Sequence, residues 1–160
     1  MIARRCRKAC YAVLTALCCL LTACSGSVTL PTSPLLVSYD TFEELCSSVG
    51  YDMVRFDGAY TPVAYNSIEG VMGQITYKVG SAEMQLRMEP GEEGDITGVG
   101  QVSYQTTDVN GVDVHIGSFR DIQAAWFIYN DFSYSLTATD MSPEIFEGTA
   151  TMLAEALTTT

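Results

Sequence analysis

Between residues 71 and 139, the sequence is divided into short segments in which apolar and polar residues alternate, and tight turns separate these segments. The clearest turn is Asn110-Gly111, because the type I′ turn of a two-residue hairpin needs a positive φ at both central positions. Within segment 71–79, Ile75 and Tyr77 alternate with polar neighbours, as they do in a strand that buries one face. The pattern predicts an antiparallel sheet with one face turned to a core.

Two helical segments flank these strands in the sequence. Residues 39–49 carry Thr41 and Glu44 in the spacing of a capping box, and Gly50 is a typical C-terminal stop. The second helix follows Ser142 and has Pro143 at its first position. We therefore predict a single α+β domain over residues 39–160, an antiparallel sheet of about eight short strands with both helices packed on one face. The predicted strands are 52–56, 62–68, 71–79, 82–89, 101–108, 112–118, 122–129 and 132–139.

The first residues have the composition of an export signal. Residues 1–8 hold four of the eight basic residues, and residues 9–21 form an apolar run without a charge. This run is shorter than the roughly 20 residues that span a membrane, so it predicts a signal peptide rather than a permanent transmembrane anchor.

The apolar run ends in Leu21-Thr22-Ala23-Cys24, which resembles the lipobox of bacterial lipoproteins. The resemblance implies that residues 1–23 are removed and that Cys24 receives a diacylglycerol and a palmitate. The alternative is an ordinary signal peptide with an incidental cysteine. Residues 24–38, rich in Ser, Thr and Pro up to Pro34, then form a flexible tether. The predicted location is the extracytoplasmic face of the cell membrane, with the lipid as the membrane contact.

Cysteine and charge usage agree with this division. Five of the six cysteines lie at or before Cys24, so Cys46 remains alone in the domain, and its place on an apolar helical stripe predicts a buried, inert thiol. No acidic residue precedes Asp40. After cleavage, four basic residues stand against 19 acidic ones, a formal net charge of −15. Such a surface repels phosphate backbones, which excludes nucleic acid as a partner class.

Four short motifs in the second half of the chain are similar to those of an uncharacterised extracytoplasmic domain family of Gram-positive bacteria. They are Val109-Asn110-Gly111, Ala125-Trp126-Phe127, Ser133-Tyr134-Ser135-Leu136 and Ser142-Pro143-Glu144. The family occurs in lipoproteins and in some anti-sigma factors, so the resemblance implies an envelope location. It implies no catalytic residues. The sigma-binding segment and spanning helix of the anti-sigma members have no counterpart in this sequence.

No catalytic set, cofactor site or metal site is predicted. His115 is the single histidine, and strand alternation places it with Asp113 on the polar face of a strand. It would act with Cys46 only if the fold brought the two together. One histidine and one free cysteine exclude zinc, and Gly98-Val99-Gly100 lacks the lysine of a phosphate loop. Binding of Ca²⁺ by the acidic loop 89–95 stays open.

Three functions remain. The first is a non-enzymatic binding or interaction module for an envelope protein or a cell-wall ligand. Five tyrosines would favour this function if they form an exposed face, and the alternative is that they pack in the core. The second is an accessory sensor in envelope signalling. The third is a carboxylate-dependent hydrolase, which needs two acids that converge in a desolvated pocket. The tyrosines concerned are Tyr60, Tyr65, Tyr104, Tyr129 and Tyr134.

Overall fold

The computed structural model describes residues 35–159, and these form eight strands and two helices. Helix α1 (Phe42–Val49) follows the first strand, and α2 (Pro143–Thr158) follows the last. The α+β class with an eight-stranded antiparallel sheet is therefore confirmed. The strands are β1 (Leu36–Tyr39), β2 (Thr61–Ile68), β3 (Met72–Val79), β4 (Ala82–Pro90), β5 (Ser103–Val109), β6 (Val112–Phe119), β7 (Ile122–Tyr129) and β8 (Phe132–Thr139).

The sheet consists of two meanders joined along their last strands. The strand order is β1-β2-β3-β4-β8-β7-β6-β5, and every neighbouring pair is antiparallel. The seam between β4 and β8 runs from the pair Glu83 and Thr139 to the pair Pro90 and Phe132. Because β4 and β8 lie at the centre, their side chains have neighbours on both sides.

The hairpin turn between β5 and β6 and both ends of α1 have the conformations that the sequence predicts. Asn110 and Gly111 have φ values of 53° and 87°, as the turn between β5 and β6 requires. The Thr41 hydroxyl accepts a hydrogen bond from the Glu44 backbone N–H at 3.2 Å, which caps α1. Gly50 ends α1 in the left-handed region at φ 82°, where its missing Cβ removes the steric penalty.

One face of the sheet, the core face, carries the apolar alternation of the strands. Its central side chains are fully buried and continue from strand to strand, with Ile75 opposite Leu86 and Leu86 opposite Leu136. The same buried cluster includes Leu45 of α1 and Phe146 of α2, both 0% exposed. Complete burial of a side chain of this size contributes roughly 1.5–3 kcal/mol.

The predicted strand over residues 52–56 is wrong. This segment has no strand pairing, although Met53 and Phe56 are buried in the core. The backbone N–H of Phe56 donates instead to the hydroxyl of Tyr77 at 3.1 Å. A side chain thus satisfies a group that a neighbouring strand would otherwise pair, and apolar content alone does not distinguish the two cases.

The eighth strand is β1, which starts inside the range 24–38 predicted as a tether. It pairs with β2, with Leu36 opposite Ile68 and Tyr39 opposite Tyr65. Leu36 and Val37 are exposed, so the alternation of burial that marks a strand in a sequence is missing here.

The predicted signal peptide 1–23, the lipidation site Cys24 and the first part of the tether lie outside the described residues. Within residues 35–159, no helix has the length and apolar character needed to cross a bilayer.

Candidate functional site

The other face of the sheet, the polar face, carries one continuous row of side chains across all eight strands. Strand pairing sets this row, because side chains at paired positions lie on the same face. We call it the polar row, and in spatial order it consists of Ser38, Asn66, Gln74, Arg87, Ser135, Trp126, His115 and Thr106.

Direct contacts connect several neighbours in the polar row. The Ser38 hydroxyl donates to Asn66 Oδ1 at 2.8 Å, near one edge of the sheet. Arg87 Nε donates to the Gln74 side-chain oxygen at 2.9 Å, near the centre. Asn66 and Gln74 are both buried, so this part of the row is a packed polar layer and not a solvated surface.

An aromatic cluster occupies the other end of the row and consists of Tyr104, His115 and Trp126. The His115 and Trp126 rings stack with centroids 3.9 Å apart and planes at 19°. Tyr104 meets the indole edge-on, with centroids 6.2 Å apart. Thr106 Oγ1 lies 2.9 Å from His115 Nδ1, which orients the imidazole. His115 thus lies on the polar face, as predicted, but it is half-buried and stacked rather than solvated.

The acidic loop between β4 and β5, residues 91–102, folds over the polar face. The Asp95 carboxylate accepts from the Thr97 N–H at 2.9 Å, from the Thr97 hydroxyl at 2.6 Å and from the Tyr104 hydroxyl at 2.7 Å. Ile96 and Thr97 are buried. The loop is therefore packed against the sheet at residues 96 and 97, whereas Glu92, Glu93 and Asp95 are exposed.

Two polar-face side chains fasten this loop to the sheet. The Ser133 hydroxyl donates to the Gly91 carbonyl at 2.9 Å and accepts from the Gly94 N–H at 3.3 Å. Arg87 Nη1 donates to the backbone carbonyls of Ile96 at 3.2 Å and Thr97 at 2.7 Å. These hydrogen bonds satisfy backbone groups of the loop that need partners once they are buried, and they fix the position of the loop over the sheet.

A groove of about 250 Å³ lies between this loop and strands β4, β7 and β8. Arg87 and Gln85 line it from β4, and Thr137 lines it from β8. No carboxylate in residues 35–159 pairs with Arg87, and desolvation lowers the pKa of its guanidinium. A guanidinium keeps its proton in proteins even so, which makes Arg87 a half-buried cation without an acidic partner in the described part of the chain.

Within residues 35–159, two buried polar side-chain atoms have no hydrogen-bond partner, Ser135 Oγ and Trp126 Nε1. Ser135 is only 1% exposed and pairs with Arg87 on one side and Trp126 on the other. An unsatisfied buried polar atom costs about 1–3 kcal/mol, and such atoms are infrequent in folded proteins. The centre of the polar row therefore has hydrogen-bonding capacity that the described residues do not use.

Cys46 is placed differently from its prediction. It is half-buried on α1 and lines a surface cavity of about 470 Å³ together with Tyr51, Glu43 and Asp52. His115 stacks on Trp126 on the polar face, whereas α1 contacts β1, β2 and β3. The structure thus does not bring the thiol and the imidazole together.

The acidic residues of the loop do not converge. In residues 35–159, no three Asp, Glu, His or Cys side chains come together in a way that could hold a metal ion. Burial raises the pKa of Glu89, and the charges of Glu93 and Glu69 raise it further. Asp95 is already engaged by Thr97 and Tyr104.

Two features of this site are not among the sequence-based predictions, namely Arg87 and the stacking of Trp126 on His115. Arg87 could have been suspected, because it is one of four basic residues after the predicted leader and falls on the polar side of an alternating segment. Of the five tyrosines that could form an exposed face, only Tyr104 contributes to this site. Tyr60, Tyr65, Tyr129 and Tyr134 pack against or within the core.

We compared the chain with protein-family models, with curated proteins and with solved structures, and none of these matches it.

Proposed function

We propose that this protein is a lipid-anchored, extracytoplasmic binding module without enzymatic activity, and that it contacts an envelope protein or a cell-wall ligand through the polar face of its sheet. The observation that carries the proposal is the polar row, which joins a buried polar layer, a guanidinium without an acidic partner in residues 35–159 and an aromatic cluster on one face. Polar groups and aromatic rings that converge in this way are typical of ligand sites.

The distribution of apolar side chains supports the choice of face. Both helices contribute to the buried cluster on the core face, through Leu45 of α1 and through Phe146 and Leu153 of α2. We infer that the two helices cover that face together. A ligand then meets the polar face, where loop 91–102 is the covering element.

The proposed anchor rests on the pattern of residues 1–24, a basic start, an uncharged apolar run and the four residues Leu21 to Cys24. A lipid at Cys24 and residues 25–34 would hold the domain beside the bilayer. A formal charge of −15 in the mature chain disfavours close contact with anionic lipids, which supports a domain displayed away from the headgroups.

Two pairs of side chains resemble parts of a catalytic site, but each pair lacks a feature that catalysis needs. Thr106 and His115 are 2.9 Å apart, but Thr106 is exposed on the edge strand β5, and no carboxylate in the described residues bonds to His115. A hydroxyl nucleophile normally needs a base that a third group orients. Glu43 and Asp52 line one cavity, but both are exposed, whereas a general acid needs a desolvated carboxyl.

Metabolic labelling with a palmitate analogue tests the anchor. We expect label on the full-length protein and none on Cys24→Ser. The matched control is Cys19→Ser, which removes a thiol within the apolar run and should leave labelling unchanged. Label that persists in Cys24→Ser would contradict the anchor.

Site-specific photocrosslinking in cells that export the full-length protein tests the face. A photoreactive residue at Thr106 should capture a specific neighbour, and one at Ile145, exposed on α2, should not. Capture of a signalling membrane protein would identify the neighbour as a sensor partner. Equal capture from both positions would refute the choice of face.

A further inference from the structure

The groove beside Arg87 has the donors of an anion site. Of the five guanidinium hydrogens, Nε–H is bonded to Gln74 and the two on Nη1 are bonded to the carbonyls of Ile96 and Thr97. On Nη2, the contact to the Gln85 oxygen is 3.4 Å long, at the limit of a hydrogen bond. The second Nη2 hydrogen makes no bond within residues 35–159.

The groove itself supplies further polar contacts and limits the size of a ligand. Thr137 and Thr139 are half-buried and line the groove from β8, while Ile122 and Val99 contribute apolar wall. The volume of about 250 Å³ is below that of sites for drug-sized ligands, which are about 300–1,000 Å³. It therefore favours a ligand of one or two small residues.

The other charges of the groove leave Arg87 available to an anion. Glu83 lies at the far end of the groove, four residues before Arg87 on β4. Its carboxylate is bonded to Lys78 Nζ at 3.1 Å, which offsets its charge. The negative charge of the rest of the protein acts at longer range, where salt at physiological concentration screens it beyond about 8 Å.

We propose that this groove binds the carboxylate of a small ligand, a short peptide with a free C-terminus, through Arg87 Nη2 and the hydroxyl of Thr137. The inference rests on the proposed function, because it names the ligand chemistry of the same polar face. Arg87 also fastens loop 91–102, so the alternative is a purely structural role for its charge.

Calorimetric titration of the full-length protein in detergent separates these roles. The probes are N-acetyl-alanyl-alanine and its C-terminal amide, which differ in the carboxylate alone. We expect the acid to bind at millimolar concentration and the amide to bind at least about tenfold more weakly, as the loss of a charged hydrogen bond implies.

Two variants localise the binding. Arg87→Gln removes the charge and should weaken binding of the acid at least about tenfold. Thr137→Val keeps the volume and every loop contact, and it should also weaken binding. Trp126 is the single tryptophan and lies close to Gly94, so its fluorescence reports whether each variant keeps the loop in place.

Equal binding of acid and amide, or no binding of either at millimolar concentration, would overturn the inference. Unchanged binding in Thr137→Val together with a displaced loop in Arg87→Gln would do so as well, because Arg87 would then be structural. If the acid fails to bind while crosslinks from Thr106 persist, the groove inference fails and the binding module stands. If both are lost, the choice of the polar face fails too.

Discussion

Replacing Tyr77 by phenylalanine tests whether a side chain takes the place of a strand partner for residues 52–56. Tyr77 is 0% exposed, and its hydroxyl accepts the backbone N–H of Phe56 at 3.1 Å. The change keeps the ring, which packs against Phe56 and Tyr60 with centroids 5.6 and 6.3 Å away. It therefore removes a hydrogen bond and leaves the apolar contacts intact.

The expected loss in the free energy of unfolding follows from the group left behind. A buried N–H without a partner costs about 1–3 kcal/mol, more than the roughly 1 kcal/mol net value of an ordinary hydrogen bond. For a domain of this size, each kcal/mol lowers the melting temperature by about 4 °C. The variant should therefore melt about 4–12 °C below the parent protein.

Urea unfolding followed by tryptophan fluorescence measures this loss directly, and an unchanged slope would show that the two folded states are equally compact. Tyr134→Phe is the matched control, because Tyr134 is also buried on the core face but, within residues 35–159, burial and Tyr129 raise the pKa of its hydroxyl and no hydrogen bond contributes. It should change stability by less than about 0.5 kcal/mol. Equal effects of the two variants would refute the idea that the Tyr77 hydroxyl replaces a strand.

Two further predictions concern close packing and pH. Gly117→Ala places a Cβ 2.5 Å from the Ser103 backbone oxygen, and this clash should lower the free energy of unfolding in urea by about 1–3 kcal/mol. Gly148→Ala has open space around the new Cβ inside α2 and should raise the free energy of unfolding by about 0.5–1 kcal/mol. Changes of the same sign in both variants would contradict the clash. Burial raises the pKa of Tyr51 and of Tyr77 to about 12 from 10.0, so the unfolded chain ionises first as pH rises. Each neutral hydroxyl therefore stabilises the folded state fully below about pH 10, and this stabilisation is lost as the pH rises towards about 12. The free energy of unfolding falls by at most about 1.4 kcal/mol per pH unit for each tyrosine. Unfolding curves that coincide from pH 9 to 11.5 would exclude this linkage.

Signals confined to a few neighbouring residues were read correctly from the sequence. Asn110-Gly111 forms the expected hairpin turn because positive φ is a local requirement that few residues meet. The Thr41 and Ser142 caps begin α1 and α2 as predicted, since a cap needs only a hydroxyl and an N–H a few residues away.

The errors arose where a distant partner decides the conformation. Segment 52–56 has the composition of a strand, yet Tyr77, far along the chain, takes its backbone N–H. Conversely, β1 has exposed apolar residues and becomes a strand because β2 pairs with it. Neither partner is visible in the segment itself, and β-propensity depends on such context.

For the candidate site as well, some features could be predicted from the sequence and others depend on the tertiary structure. The sequence by itself determined which residues are polar within each strand, so it placed His115 on the polar face of its strand, and it determined the leader pattern that ends at Cys24. Only the tertiary structure decided that Arg87, Ser135, Trp126 and His115 form one row, because strand order and register set neighbours across a sheet. Alternation has a period of two along one strand and carries no information about which strand lies beside it.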